Sequence, residues 1–134
     1  MKNLLKVSVL GLSCLMAASS FAATSSVTLI NQSNHSITVQ SMPGGSADFV
    51  QATPQYVVIK TGSQQVFTMD LLSPGGSSGS LVVNNGSEQG CDINLNADFP
   101  LTDHSDYLTT TCNKDWVSIL QGSGRTELGT VTFH

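Results

Sequence analysis

The sequence predicts an all-β fold, a small antiparallel β-sandwich, and three observations carry that prediction. Apolar residues after Ala23 recur at every second position, the strand period, rather than at helical spacing. Ser, Thr, Asn, Gly and Val are frequent there, while Ala, Leu, Glu and Lys do not cluster at helical intervals. Turn signals built on Pro-Gly, Asn-Gly and Gly-x-Gly punctuate the chain roughly every ten residues.

The first 22 residues are set apart from the fold. Lys2 and Lys6 open the chain, Val7 to Ala18 is an apolar run, and Ser20-Phe21-Ala22 places small residues at the two positions a signal peptidase reads. This is the layout of a cleavable secretory signal, cut after Ala22. The run is too short to span a bilayer, which takes about 20 residues. A lipoprotein cut before Cys14 is the rival, but Gly11 stands where a Leu-like residue is wanted. Residues 23–134 then form a single domain.

The strands follow in order. Val27 and Leu29 alternate with Thr28, and Ile37 and Val39 with Thr38, around the turn Asn31-Gln32-Ser33-Asn34; they read as an opening hairpin. Pro43-Gly44-Gly45 ends the second strand. A short strand is expected from Asp48 to Ala52, limited by Pro54, which lacks a ladder donor. Tyr56 to Lys60 is a β-branched run. Phe67, Met69 and Leu71 share one face, opposite Val66, Thr68 and Asp70. Leu81-Val82-Val83 leads into Asn84-Asn85-Gly86, a strong hairpin signal because Asn and Gly tolerate positive φ. Cys91, Ile93 and Leu95 alternate with Asp92, Asn94 and Asn96. Tyr107 to Cys112, Trp116 to Gln121 and Glu127 to Phe133 complete the set, with turns at Asn113-Lys114-Asp115 and Gly122-Ser123-Gly124. This many short strands suits an Ig-like or Greek-key sandwich, with a small β-barrel as the alternative.

Composition excludes some functions. Without Lys2 and Lys6 the domain keeps three cations, Lys60, Lys114 and Arg125, against nine acids, a net charge of −6. Three scattered cations give no grip on phosphates, so no nucleic acid is expected as partner, and anionic lipid repels such a surface. No membrane insertion is expected. Cys91 and Cys112 form an even pair in an exported chain and predict a disulfide bond.

Candidate sites gather in one acidic stretch. Asp92, Asn94, Asn96 and Asp103 match calcium-loop spacing, but Ala97 replaces the turn-forming Gly, so no metal and no cofactor is expected. Asp103, His104, Ser105 and Asp106 combine triad-type residues. Adjacent positions in one loop do not converge on one point, however, and no Gly-x-Ser-x-Gly elbow occurs. No enzyme is expected. Asp103, His104, Asp106 and Tyr107 are the candidate ligand-binding residues, with Tyr107 offering an aromatic contact beside the acids and Trp116 assigned to the core. The loops Pro43 to Asp48, Ser73 to Ser80 and Ala97 to Tyr107, or a polar sheet face, are the candidate surfaces. Asn-x-Ser sequons begin at Asn31, Asn34 and Asn85.

At the C-terminus Gly129, Val131 and Phe133 alternate on one face, with an aromatic next to last. This resembles the closing strand of chaperone–usher pilins, although pilin cysteines usually sit early and Cys91 and Cys112 are late. The resemblance implies a subunit of a surface assembly joined by strand addition. The residues themselves point first to an exported non-enzymatic binding module, secreted or periplasmic, whose partner is an extracellular protein or glycan.

Overall fold

Period-two alternation gives each strand one apolar face, and two such sheets bury those faces against each other. The computed structural model describes residues 23–46, 48–72, 76–86, 90–97 and 106–134; the signal segment lies outside them. Among the described residues there are nine strands and no helix. They are β1 (Thr24–Asn31), β2 (Ile37–Ser41), β3 (Tyr56–Ile59), β4 (Gln64–Asp70), β5 (Ser78–Asn84), β6 (Cys91–Asn96), β7 (Leu108–Thr110), β8 (Val117–Gly124) and β9 (Glu127–Phe133). One sheet has the order β4-β1-β9-β8, the other β3-β2-β5-β6-β7. Neighbours are antiparallel except β1 and β9, which run parallel. The fold is the predicted β-sandwich.

The core lies between the sheets. Val27, Leu29, Phe67, Val131 and Phe133 face Ile37, Val39, Leu81, Val83, Ile93 and Leu108, all fully buried. Each such side chain contributes about 1.5–3 kcal/mol relative to exposure. Cys91 and Cys112 are bonded, with Cα atoms 4.9 Å apart, and tie the start of β6 to the turn after β7. That bond fits an oxidising compartment.

The opening pair is not a hairpin: β1 and β2 belong to different sheets. Asn31, completely buried at the end of β1, explains the crossing. Its side-chain amide donates to the carbonyls of His35 (2.7 Å) and Ile59 (2.9 Å). Its oxygen accepts from the Ser33 amide (3.0 Å) and hydroxyl (2.6 Å). These bonds fasten the end of one sheet to β3 of the other. They also place the first sequon inside the protein, whereas Asn34 is exposed.

Two other expectations change. The strand expected at Asp48 to Ala52 is reduced to one parallel bridge, Phe49 to Ser78. Gly122-Ser123-Gly124 is not a turn but part of β8, and the chain reverses at Arg125-Thr126. A bulge causes this: the β8–β9 register shifts between Gln121 and Gly124, and the β1–β9 register shifts between Ser26 and Val27. The extra residue lets Leu128 and Gly129 both be buried, against simple alternation. Only glycine fits here. A Cβ on Gly122 would strike the Glu127 carbonyl, and Gly129 has φ 139° with the Leu120 carbonyl against it.

Candidate binding face

The acidic loop is only partly in view. Asp103 and His104, like Ser105 and Asp98, lie outside the described residues. Asp106 is exposed, and Tyr107 is half-buried and packs against the core. The loop's far end is firmly held. The Tyr107 carbonyl accepts from the Asn96 amide at 2.8 Å, which starts the β6–β7 ladder. Leu108 is then gripped by Gln121: its N–H donates to Oε1 (3.1 Å) and its carbonyl accepts from Nε2 (2.8 Å). A side-chain amide thus stands in for a neighbouring strand.

Of the calcium-pattern residues, Asp103 lies outside the described residues and the other three lie on a strand. Asp92, Asn94 and Asn96 lie at alternate positions of β6, spaced about 6.6 Å apart along an extended chain, and do not wrap around a point. The backbone of Asp92 is occupied by threonine hydroxyls, with Thr111 Oγ1 accepting from its N–H and Thr110 Oγ1 donating to its carbonyl, both at 2.8 Å. No group of three or more His, Cys, Asp or Glu side chains able to hold a metal occurs among the described residues. Nor does any helix there reach the length and apolarity needed to cross a membrane.

Of the other two candidate loops, Pro43 to Asp48 is exposed at each of its described residues, Ala47 lying outside them. The second divides: residues 73–75 lie outside the described set, Ser77 is fully buried and Ser78 to Ser80 belong to β5. The Ser77 hydroxyl donates to the Asp70 carbonyl (2.8 Å) and accepts from the Leu72 amide (2.9 Å), a structural role. Trp116 is half-buried, its ring 5.3 Å from that of Phe133 and tilted by 54°, so it extends the core as expected.

The remaining candidate is the polar sheet face, and the register assembles it. On the outer face of β3-β2-β5-β6-β7, Tyr56 stands beside Gln40, Gln40 beside Val82, and Val82 beside Asp92. The next row runs Ser80, Asn94, Thr109, and a third pairs Thr38 with Asn84. Gln40, Asn84 and Asn94 are exposed, and Tyr56 is the most exposed aromatic among the described residues, at 61%. Asp92 supplies the one carboxylate on these strands. The result is a near-neutral field of amides and hydroxyls, able to donate and accept, with a flat aromatic at one border. The opposite sheet presents Thr28, Thr130, Thr132, Val66 and Leu120, without an aromatic. Tyr56 was not singled out as a contact from sequence. Tyr56-Val57-Val58-Ile59 is apolar throughout, so alternation says nothing about which side faces out. Pro54 just before it was the available sign of an edge strand.

No protein-family model matches the sequence, and no curated protein is similar enough to match it. Among solved structures, the chain is similar to RahU protein, crystallised with a TRIS molecule, at 11% identity and a TM-score of 0.56, over 85% of this chain and 94% of RahU. It is also similar to IP-1A from Alcaligenes faecalis, at 13% identity and a TM-score of 0.48, over 84% and 92% of the two chains. At such identity the likeness to RahU shows a shared fold alone.

Proposed function

We propose that the protein is an exported, non-enzymatic binding module, secreted or periplasmic, that contacts a glycan through the outer face of the five-stranded sheet. The observation that carries this reading is the exposed Tyr56 ring beside a nearly charge-free field of Gln40, Ser80, Asn84, Asn94 and Thr109 side chains. A sugar offers an apolar ring face for stacking and hydroxyls for amide partners, and it needs no opposite charge. The lysine-led leader and the disulfide support export.

The test is a titration of the oxidised 23–134 chain with a panel of oligosaccharides, followed by amide NMR shifts. Expected shifts centre on Gln40, Tyr56 and Asn94. Tyr56→Ala should weaken binding roughly two- to tenfold, the stacking share of about 0.5–1.5 kcal/mol. Shifts confined to the segment around Asp106, or a Tyr56→Ala affinity equal to wild type, would refute the assignment to this face.

A further inference from the structure

Two open sheets have four edges, here β4, β8, β3 and β7. An edge strand carries outward N–H and C=O groups that template another strand, and proteins blunt such edges. Three of the four carry some cover. At β7, Gln121 fills both backbone positions of Leu108. At β8, the Val117 amide donates to the Asn113 carbonyl at 3.1 Å, and Gln121 turns its side chain to β7. At β4, Thr53 exchanges two bonds with Thr68 (2.8 and 2.9 Å), and the Gln65 side chain donates to the Val66 carbonyl (2.9 Å).

β3 has no such cover among the described residues. The Ser41 amide donates to the Gln55 carbonyl at 2.9 Å, which fixes the ladder phase. Gln55, Val57 and Ile59 therefore direct their backbone groups to β2, and Tyr56 and Val58 direct theirs away from the sheet. The same two residues expose their side chains, by 61% and 47%. The edge is also free of acid: residues 49–69 contain no Asp or Glu and one cation, Lys60, in a chain of net charge −4.

We infer that β3 is a pairing edge for a second copy of this chain, joined antiparallel about a two-fold axis through Val58. In that register Val58 meets Val58, and Tyr56 meets Lys60 of the other copy, twice. All three project to the same outer face, so the pairing keeps both cores on one side. The Lys60 ammonium then lies against the Tyr56 ring, an attraction repeated by the symmetry. Two acidic molecules repel elsewhere, and this acid-free strand is where they meet without repulsion. The two five-stranded sheets run on as one. A four-residue strand buries less than the roughly 1,200 Å² of stable interfaces, so the dimer is weak and reversible. The inference does not depend on glycan binding.

Sedimentation velocity of the oxidised 23–134 chain tests it, over a concentration series up to about 1 mM, which registers even millimolar association. The expected result is a sedimentation coefficient that rises with concentration toward a dimer. Val58→Lys sets two ammonium groups against each other at the axis and should stay monomeric throughout. Val58→Pro removes an outward N–H and no β2–β3 bond, and should also be monomeric. Leu120→Lys, at the most exposed large apolar residue of the other sheet (73%), should associate as wild type does. Amide NMR dispersion verifies that each variant is folded. A wild type that stays monomeric to the top of the series overturns the inference, as does a dimer that folded Val58→Lys and Val58→Pro leave intact.

Discussion

Replacing Gln121 with Ala removes a two-point clamp and should loosen one edge of the sandwich in a way two measurements can separate. The side chain makes one bond to each backbone group of Leu108, at 3.1 and 2.8 Å. A net contribution of about 0.5–1.5 kcal/mol per bond gives an upper figure of ~3 kcal/mol. Gln121 itself is exposed, so water replaces part of what is lost, and the expected cost of Gln121→Ala is about 1–2 kcal/mol. With a urea m-value of ~1–3 kcal/mol/M, the unfolding midpoint should fall by roughly 0.3–2 M. The second readout is local. Leu108 pairs with Leu95 at a position where its own N–H points away from β6, so Gln121 is what holds that proton. Hydrogen exchange at the Leu108 amide should quicken far more than at Ile93, which is fully buried mid-strand. Gln121→Glu is the sharper variant: it keeps an acceptor for the N–H but sets a carboxylate oxygen against the Leu108 carbonyl. It should cost at least as much as Ala. Unchanged Leu108 exchange in Gln121→Ala would show that the clamp does not hold the edge.

Two further perturbations bear on the rest of the fold. Replacing Cys91 and Cys112 together by Ser opens a loop of sequence separation 21, worth about 3 kcal/mol on the chain-entropy account, read by urea unfolding against the oxidised wild type; a loss below about 1 kcal/mol would mean the unfolded chain gains little from the link. Deleting Glu127 to His134 removes a strand bonded to β1 on one side and β8 on the other, so the truncated chain should lose amide dispersion and strand circular dichroism. A folded, soluble truncated monomer would refute that central role for β9.

The strands were legible because alternation is a local signal. Ile93 and Leu95 against Asp92 and Asn94, or Phe67 and Met69 against Thr68 and Asp70, declare their faces within six residues, and the structure buries them as read. The partners were not legible. β1 and β2 carry the pattern of a hairpin, yet β1 bonds to β4 and to β9, the latter about a hundred residues away, as the Ser25 hydroxyl does to the Arg125 carbonyl. Whether a chain folds back or crosses to the other sheet depends on where its end is fastened. Here the fastening is Asn31 reaching Ile59, a contact that no window around the turn contains. The bulge at Leu128 was hidden for a related reason: Gly122 read as a turn residue and Gly129 as one position of an alternating strand face, and what both permit is close approach of two backbones.

The two tyrosines show why the candidate site was harder to read than the fold. Tyr107 stands beside the acidic loop, and its polar surroundings suggested an exposed contact; Tyr56 opens an apolar run in which alternation does not say which side faces out. In the structure Tyr107 is half-buried and packs against the core, and Tyr56 is 61% exposed. Neighbours in sequence do not decide exposure in a sandwich. The face a residue takes and the distance of its strand from an edge decide it, and both are properties of pairing. Tyr107 precedes a strand whose Leu108 reaches the core, and the Asn96 amide fixes the chain there, so its burial is set at the start of a pairing and not by the acidic residues before it. Tyr56 shares its strand with Ile59, which is buried, so a three-residue offset on a period of two sends Tyr56 outward. That parity was present in the sequence all along. It lacked only the knowledge that Ile59, rather than Val58, is the residue whose carbonyl Asn31 holds from inside.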